Sequence, residues 1–265
     1  MEEGETLKYQ YLDVWIENQI VYVLLIGAES HNPFNSQMSQ ELKSIAREIL
    51  DMNEIKVIVL GTSGSDFSTG LNNSFTNVDS GDEAYATVTL ASAAIEEWSR
   101  LPYPIIAAID GQCSSLGLSL ACVADVRYAS ENAFFSVPEA TWGLVPAGGI
   151  TQRLPRLIGK GPAMSMLLGG EEIVASQALS LGLINKVLSS GSLWEGACKE
   201  AKRLAELSTL SMQFTKECLL RGSELPLEQA LRLELDIYML LQTSHDRMEG
   251  VQAFLEKRPL HFKGE

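Results

Sequence analysis

Two continuous apolar runs of strand length, "IKVIVLG" and "IIAAIDG", most restrict what this chain can become. Neither alternates polar with apolar residues, so both read as strands buried on two faces, as in a parallel sheet covered by helices. Two shorter β-patterned runs, "YLDVWIE" and "IVYVLLIG", come first, with Asn18-Gln19 as a hairpin turn between them. "NSQMSQELKSIAREILDM" places Met38, Leu42, Ile45, Ile49 and Met52 at helical spacing, with Asn35 or Ser36 as the N-cap. A second helix is expected from roughly Glu83 to Leu101, closed by "PYP". "LGLSLACVA" reads as a short apolar helix, and "DVRYAS" and "AFFSVPE" as further strands. This alternation predicts an α/β core with parallel strands. Beyond "GLVPAGG" the pattern is helical except for "GLINKVL", and helices are expected at 191–207, 208–221, 226–241 and 244–256. Residues 1–190 therefore read as the core and 191–265 as a helical appendage.

Charge narrows the function. Twenty Lys and Arg against 34 Asp and Glu give a net charge of −14, a poor match for nucleic acid or anionic membrane. Any phosphate-bearing ligand needs local cations. Cys113, Cys122, Cys198 and Cys218 form no C-x-x-C pair and have no His at metal-ligand spacing, so no metal is expected. They read as small hydrophobes in a reducing compartment. The polar N-terminus resembles neither a signal nor a transit peptide, and no apolar run approaches the ~20 residues that span a membrane. A cytoplasmic protein is expected.

Four segments are candidates for chemistry. "FSTG", after the first buried strand, has a Gly that permits close approach of backbone to ligand, or simply makes a turn. "DGQCSSLGLSLA" brings a strand, small residues and a helix start together, where free N–H groups stabilise an anion or the helix merely packs tightly. It matches neither the phosphate loop nor the dinucleotide fingerprint. "SVPEATWGLVPAGG" sets Glu139 among Phe135, Val137, Trp142 and Leu144. A carboxyl desolvated there would have a raised pKa suited to proton transfer, whereas a paired or solvent-facing Glu would not. "RMEGVQAFLEKRPLHFKG" offers Phe254 beside the cations of "EKR", either as an adenine and phosphate contact or as a solvated helix end.

In this order the segments resemble the crotonase superfamily, the enoyl-CoA hydratase/isomerase family, from about Tyr11 to Gly264. Phe67 to Asn72 line up with its [FA]-[SC]-A-G-x-D loop, and Gly111 to Ser119 with G-x-x-x-G-G-G-x-E. Pro138 to Leu154 match P-E-x-x-x-G-[LI]-x-P-[GA]-x-G-[GA]-[TS]-x-x-L, with Ile150 in place of Thr or Ser. "GLINKVL" and Asp246 to Arg258 match the family's later motifs. The resemblance implies the ClpP-like crotonase fold: a spiral of ββα units, then helices that cap the site and join subunits in a trimer or a dimer of trimers.

It also implies roles. Backbone N–H groups of Thr69 and Leu116 would form an oxyanion hole for a thioester carbonyl, with Phe67, Gly70, Leu71 and Trp142 around the acyl group. Glu139 would be the acid/base. Ser119 stands where hydratases of the family carry a second Glu, and a hydroxyl has no acidity at pH 7. The single carboxylate suits a Δ3,Δ2-enoyl-CoA isomerase. A Ser/Glu pair also resembles the family's hydratase-lyases, and its decarboxylases use the hole without two Glu. A non-catalytic thioester-binding homologue is the alternative from outside catalysis. No cofactor is implied beyond coenzyme A, or a carrier-bound phosphopantetheine, as part of the substrate. Its phosphates would meet His31, with Lys257 and Lys263 of the tail, from the same or a neighbouring subunit, supplying further positive charge, and Phe254 would meet the adenine.

Overall fold

The computed structural model describes residues 6–27, 31–52, 54–71 and 81–264. Strands β1 (Thr6–Lys8), β2 (Leu12–Glu17) and β3 (Ile20–Leu25) open the chain. The β2–β3 hairpin closes at Glu17 and Ile20. Its loop residues Asn18 and Gln19 have φ of 52° and 65°, the two left-handed residues that match a tight turn to the twist of its strands. After β4 (Pro33–Phe34), α1 (Ser36–Asp51) is capped by Asn35, whose side chain accepts the Met38 N–H at 2.8 Å. Then come β5 (Val57–Thr62), β6 (Gly70–Leu71), α2 (Gly81–Ser99), β7 (Ile105–Ile109), β8 (Gln112–Ser114) and α3 (Ser115–Ala121). β9 (Val126–Ser130) and β10 (Phe134–Ser136) precede a 3-10 turn at Pro138–Trp142. Next are α4 (Ile150–Ile158), α5 (Lys160–Gly169), β11 (Ile173–Val174), α6 (Ala175–Ser180) and β12 (Lys186–Leu188). The chain ends in α7 (Ser190–Ala205), α8 (Thr209–Gly222), α9 (Leu227–Leu241) and α10 (His245–Glu256).

Among the described residues, seven strands form one sheet in the order β1-β2-β3-β5-β7-β9-β12. From β3 onward every pairing is parallel. Successive β5 residues point to opposite faces. Ile58 and Leu60 join the larger core with Leu42, Ile45 and Trp98, while Val57 and Val59 pack with Leu193 and Ala197 of α7. This two-sided burial is why the runs read as continuously apolar. β10 lies outside the main sheet, in a small sheet ordered β11-β10-β8. Its parallel register, Phe135 opposite Cys113 and Ser136 opposite Ser114, sets the Glu139 segment beside the start of α3. Cys113 and Cys122 are buried as expected, whereas Cys198 and Cys218 are partly exposed. No described helix is long and apolar enough to cross a membrane.

The tail is fastened differently. α9 buries no residue, and the only buried residue of α8 is Lys216. The Lys216 ammonium donates to the Asp125 carboxylate at 2.7 Å and to the Tyr103 carbonyl at 2.9 Å. Asp246 accepts the Ser208 hydroxyl at 2.6 Å and the Lys263 and Gly264 N–H groups at 2.9 and 3.1 Å. Replacing Lys216 by Met leaves Asp125, whose side chain is 27% exposed, without its counter-charge. The expected loss is about 1–3 kcal/mol, below that of a fully buried pair because water reaches the carboxylate. Urea denaturation of the two proteins measures it.

Candidate active site

Three segments meet at the first turn of α3. The loop after β5 runs parallel to β8. Phe67 N–H donates to the Asp110 carbonyl at 2.8 Å, Ser68 N–H to Gln112 at 3.0 Å, and Ser114 N–H to Ser68 at 2.9 Å. Asp66 reinforces the pairing by accepting the Gln112 N–H at 2.6 Å. Asn32, 1% exposed, clamps the same loop. Its amide nitrogen donates to the Thr62 hydroxyl and the Asp66 carbonyl at 2.7 and 2.9 Å, and its carbonyl accepts the Ser68 hydroxyl at 2.7 Å. Gly70 has φ of +79°, and a Cβ there would collide with the Ser115 side chain and the Ser114 carbonyl. Gly117 lies as close on Ser68. Glycine at both positions lets the loop touch the helix start.

The third segment follows β10. Pro138 fits the first position of the 3-10 turn, and Gly143, at φ 73°, terminates it. Leu144 N–H returns to the Glu139 carbonyl at 2.9 Å. That turn buries Glu139 to 1% exposure. Oε1 accepts the Ser115 hydroxyl at 2.6 Å, and Oε2 is buried with no partner among the described residues. Burial raises the Glu139 pKa above the ordinary carboxyl range, with the Ser115 hydrogen bond and its own backbone pulling the other way. Such a carboxyl suits proton transfer nearer neutrality.

Several expectations meet their geometry here. Leu116 is the second residue of α3, within the first turn, where backbone N–H groups lack intrahelical acceptors. Thr69 is corrected: its N–H donates to the His31 carbonyl at 3.0 Å and is not a free oxyanion donor. Phe67 is also corrected, because it is fully buried in the main core and offers a ligand no surface. Leu71 retains only 8% exposure. Ser119 is buried, and its hydroxyl donates to the Ser115 and Ala147 carbonyls at 3.1 and 3.0 Å rather than meeting Glu139. The serine on Glu139 is Ser115, which spacing alone did not single out; its only signal is that the G-G-G part of the motif has Gly at this position.

The outer residues are more scattered. Trp142 is half exposed at the end of its turn. His31 is exposed and paired through Nδ1 with Asp66. Phe254 lines a groove with Ser208, Tyr238, Gly250 and Phe262, built from the tail alone and not including Glu139. Lys257 is the exposed, left-handed cap of α10. Neither His31 nor Lys257 lines that groove. Asn72, where the loop motif has Asp, lies outside the described residues. No group of three or more His, Cys, Asp or Glu among the described residues is arranged to hold a metal ion.

Residues 15–265 match the family model described as enoyl-CoA hydratase/isomerase. The 2,3-dehydroadipyl-CoA hydratase of Escherichia coli (strain K12) is 33% identical over 251 residues, 94% of this chain and 96% of that protein. The (E)-benzylidenesuccinyl-CoA hydratase of Thauera aromatica is 33% identical over 256 residues, 94% and 97% of the two chains. The 1.8 Å crystal structure of an enoyl-CoA hydratase from Bacillus anthracis superposes with a TM-score of 0.92 at 30% identity, covering 97% of this chain and all of that one.

The contact between loop and helix is testable. Gly70→Ala introduces a collision and a strained left-handed residue together, with an expected loss of about 2–5 kcal/mol. Thermal unfolding, alongside turnover of an acyl thioester at a temperature where the variant stays folded, should show stability and activity falling together.

Proposed function

This chain belongs to the enoyl-CoA hydratase/isomerase family and has the crotonase fold, and within it we propose enolate chemistry on an enoyl-CoA thioester with Glu139 as the only carboxylate acid/base. Double-bond isomerisation is the reading favoured. The observation that carries it is the Glu139 carboxyl, buried, with one oxygen held by Ser115 and Oε2 without a partner among the described residues, while Ser119 replaces the second carboxylate and turns its hydroxyl away. A single carboxyl can move a proton between two carbons, whereas the family's hydratases use two to hold and activate a water.

The steps follow from the geometry. Glu139 removes a proton from C2 of a 3-enoyl thioester, the carbonyl oxygen gains charge, and the same carboxyl returns the proton at C4. Preorganised N–H donors stabilise the developing oxyanion, at about 2.7–4 kcal/mol for one donor in other enzymes. Leu116 supplies the donor from α3. On the facing loop, Phe67, Ser68, Thr69 and Gly70 all commit their N–H groups, Gly70 to the Ser68 hydroxyl at 3.0 Å. The second donor is then the next N–H along, that of Leu71. The left-handed Gly70 just before it re-aims the backbone at that point.

Hydration is the second reading, favoured by the names of the similar proteins, all hydratases among those described above. For the assembly we propose a homotrimer or a dimer of trimers. Exposed Leu227, Leu231, Leu235 and Tyr238 on α9 support it as the face a second copy covers. Such a neighbour would be needed to bring Phe254 and Lys257 to a thioester carrier.

Parallel assays with 3-enoyl-CoA, 2-enoyl-CoA and a carboxylated acyl-CoA separate the readings. Turnover of the first alone is expected; rapid hydration of the second would overturn isomerisation. Glu139→Gln should lower kcat by about 10²–10⁴. Because burial raises the Glu139 pKa, its base form is lost at a higher pH than for an ordinary Glu, and the acid limb of kcat/KM should lie above the usual carboxyl range. The sign for stability follows. A carboxyl with a folded pKa above its unfolded value opposes folding fully above the folded pKa, less as pH falls through it, and not at all below the unfolded value. Glu139→Gln should therefore resist urea better than the parent protein at neutral pH, with the gap narrowing on acidification.

A further inference from the structure

Ser115 combines features rarely found in one residue. Its φ is +54°, in the left-handed region that non-glycine side chains avoid. It is fully buried. Its hydroxyl donates to Glu139 Oε1 at 2.6 Å, its carbonyl accepts the Ser119 hydroxyl at 3.1 Å, and its side chain fills the space that a Cβ on Gly70 would take. A glycine would satisfy the backbone with less strain, and the family motif has glycine there. The residue thus holds an unfavourable conformation while supplying one hydrogen bond to the proton-carrying group, the pattern in which strain persists only because the surroundings enforce it.

We infer that Ser115 is a positioning residue: its hydroxyl pins Oε1 of Glu139, so that Oε2 alone carries the proton to and from substrate. This rests on Glu139 being the acid/base. The serine keeps its own proton throughout, and the proton taken from substrate resides on Oε2 and is returned from there. Nothing else among the described residues performs this task, since Oε2 has no partner and Ser119 faces two carbonyls. Among the described residues, no charged side chain competes for the carboxylate. α3 and β10 contain none, and the one charged residue of α5, which packs against the Glu139 turn, is Lys160, which is exposed. A donor to the carboxylate favours its ionised form, so losing the donor raises the pH at which Glu139 ionises.

Ser115→Ala and Ser115→Gly test this as a pair, because both remove the hydroxyl and only the glycine relieves the left-handed backbone. Three quantities are read: the pH profile of kcat/KM, the pH midpoint of the Glu139 carboxyl in the ligand-free protein by infrared difference spectroscopy (assigned by its loss in Glu139→Gln), and the melting temperature. Both variants should move the acid limb and the infrared midpoint upward by about one unit of pH, with kcat/KM on that limb falling about tenfold. The glycine variant should melt above the alanine variant. An unchanged infrared midpoint in both overturns the assignment. So does a loss of turnover that follows melting temperature, large in alanine and small in glycine, which marks a structural role. The two failures are distinguishable: parental turnover in Glu139→Gln defeats the acid/base reading itself, whereas an inactive Glu139→Gln with an unmoved midpoint in the serine variants defeats only the role of Ser115.

Discussion

The close approach of Gly70 to Ser115 is the contact on which the rest of the site depends. It exists because two parallel backbone segments, 66–68 and 112–114, pair beyond the ends of β5 and β7 and carry the loop onto the first turn of α3. Asn32 closes the arrangement from the other side, binding the loop through both its amide and its backbone carbonyl. The result is a hydrogen-bonded junction in which a glycine, a serine of positive φ and the uncapped start of a helix occupy neighbouring positions. In the proposed oxyanion hole both donors are main-chain groups, and the sheet determines where the main chain goes.

Glu139 shows the opposite logic. Its turn is a local device, a proline at the start and a left-handed glycine at the end, yet the turn delivers a carboxyl into the interior where water cannot solvate it. Burying such a group without full hydrogen bonding is unfavourable. Under the proposed acid/base role the cost has a use, since a desolvated carboxyl binds a proton more tightly than a solvated one and so is better able to take it from carbon. The partner that moderates the burial, Ser115, belongs to another segment, so the acid/base behaviour of Glu139 is a property of the junction and not of its own loop.

Much of this was legible in the residues. The continuous apolar runs named β5 and β7, the i, i+3 and i+4 spacing named α1, and the tail helices fell within two residues of their expected ends. Glu139 stood out because a lone carboxyl in an apolar stretch is chemically conspicuous. The misassigned donor illustrates what spacing does not convey. Thr69 and Leu71 flank the same glycine, and which N–H is committed depends on where the His31 carbonyl lies, a contact between positions 38 residues apart. Ser115 was missed for a related reason: one serine among Ser114, Ser115 and Ser119 carries no mark of its backbone torsion. Phe67 looked like a ligand contact in its motif but is a core residue, because the strand before the loop delivers it inward.

The polar fastening of the tail has a consequence for how the molecule comes apart. Ordinary helices leave a fold only when an apolar face is pulled from its neighbours. Here the buried anchors of α8 and α10 include Lys216 and Asp246, while α9 buries nothing. A chain standing alone would therefore shed its last three helices as a unit before the sheet opened, exchanging amide hydrogens there early and in the sheet late. Whatever covers α9 would then act as a clasp, converting two separable layers into one cooperative body.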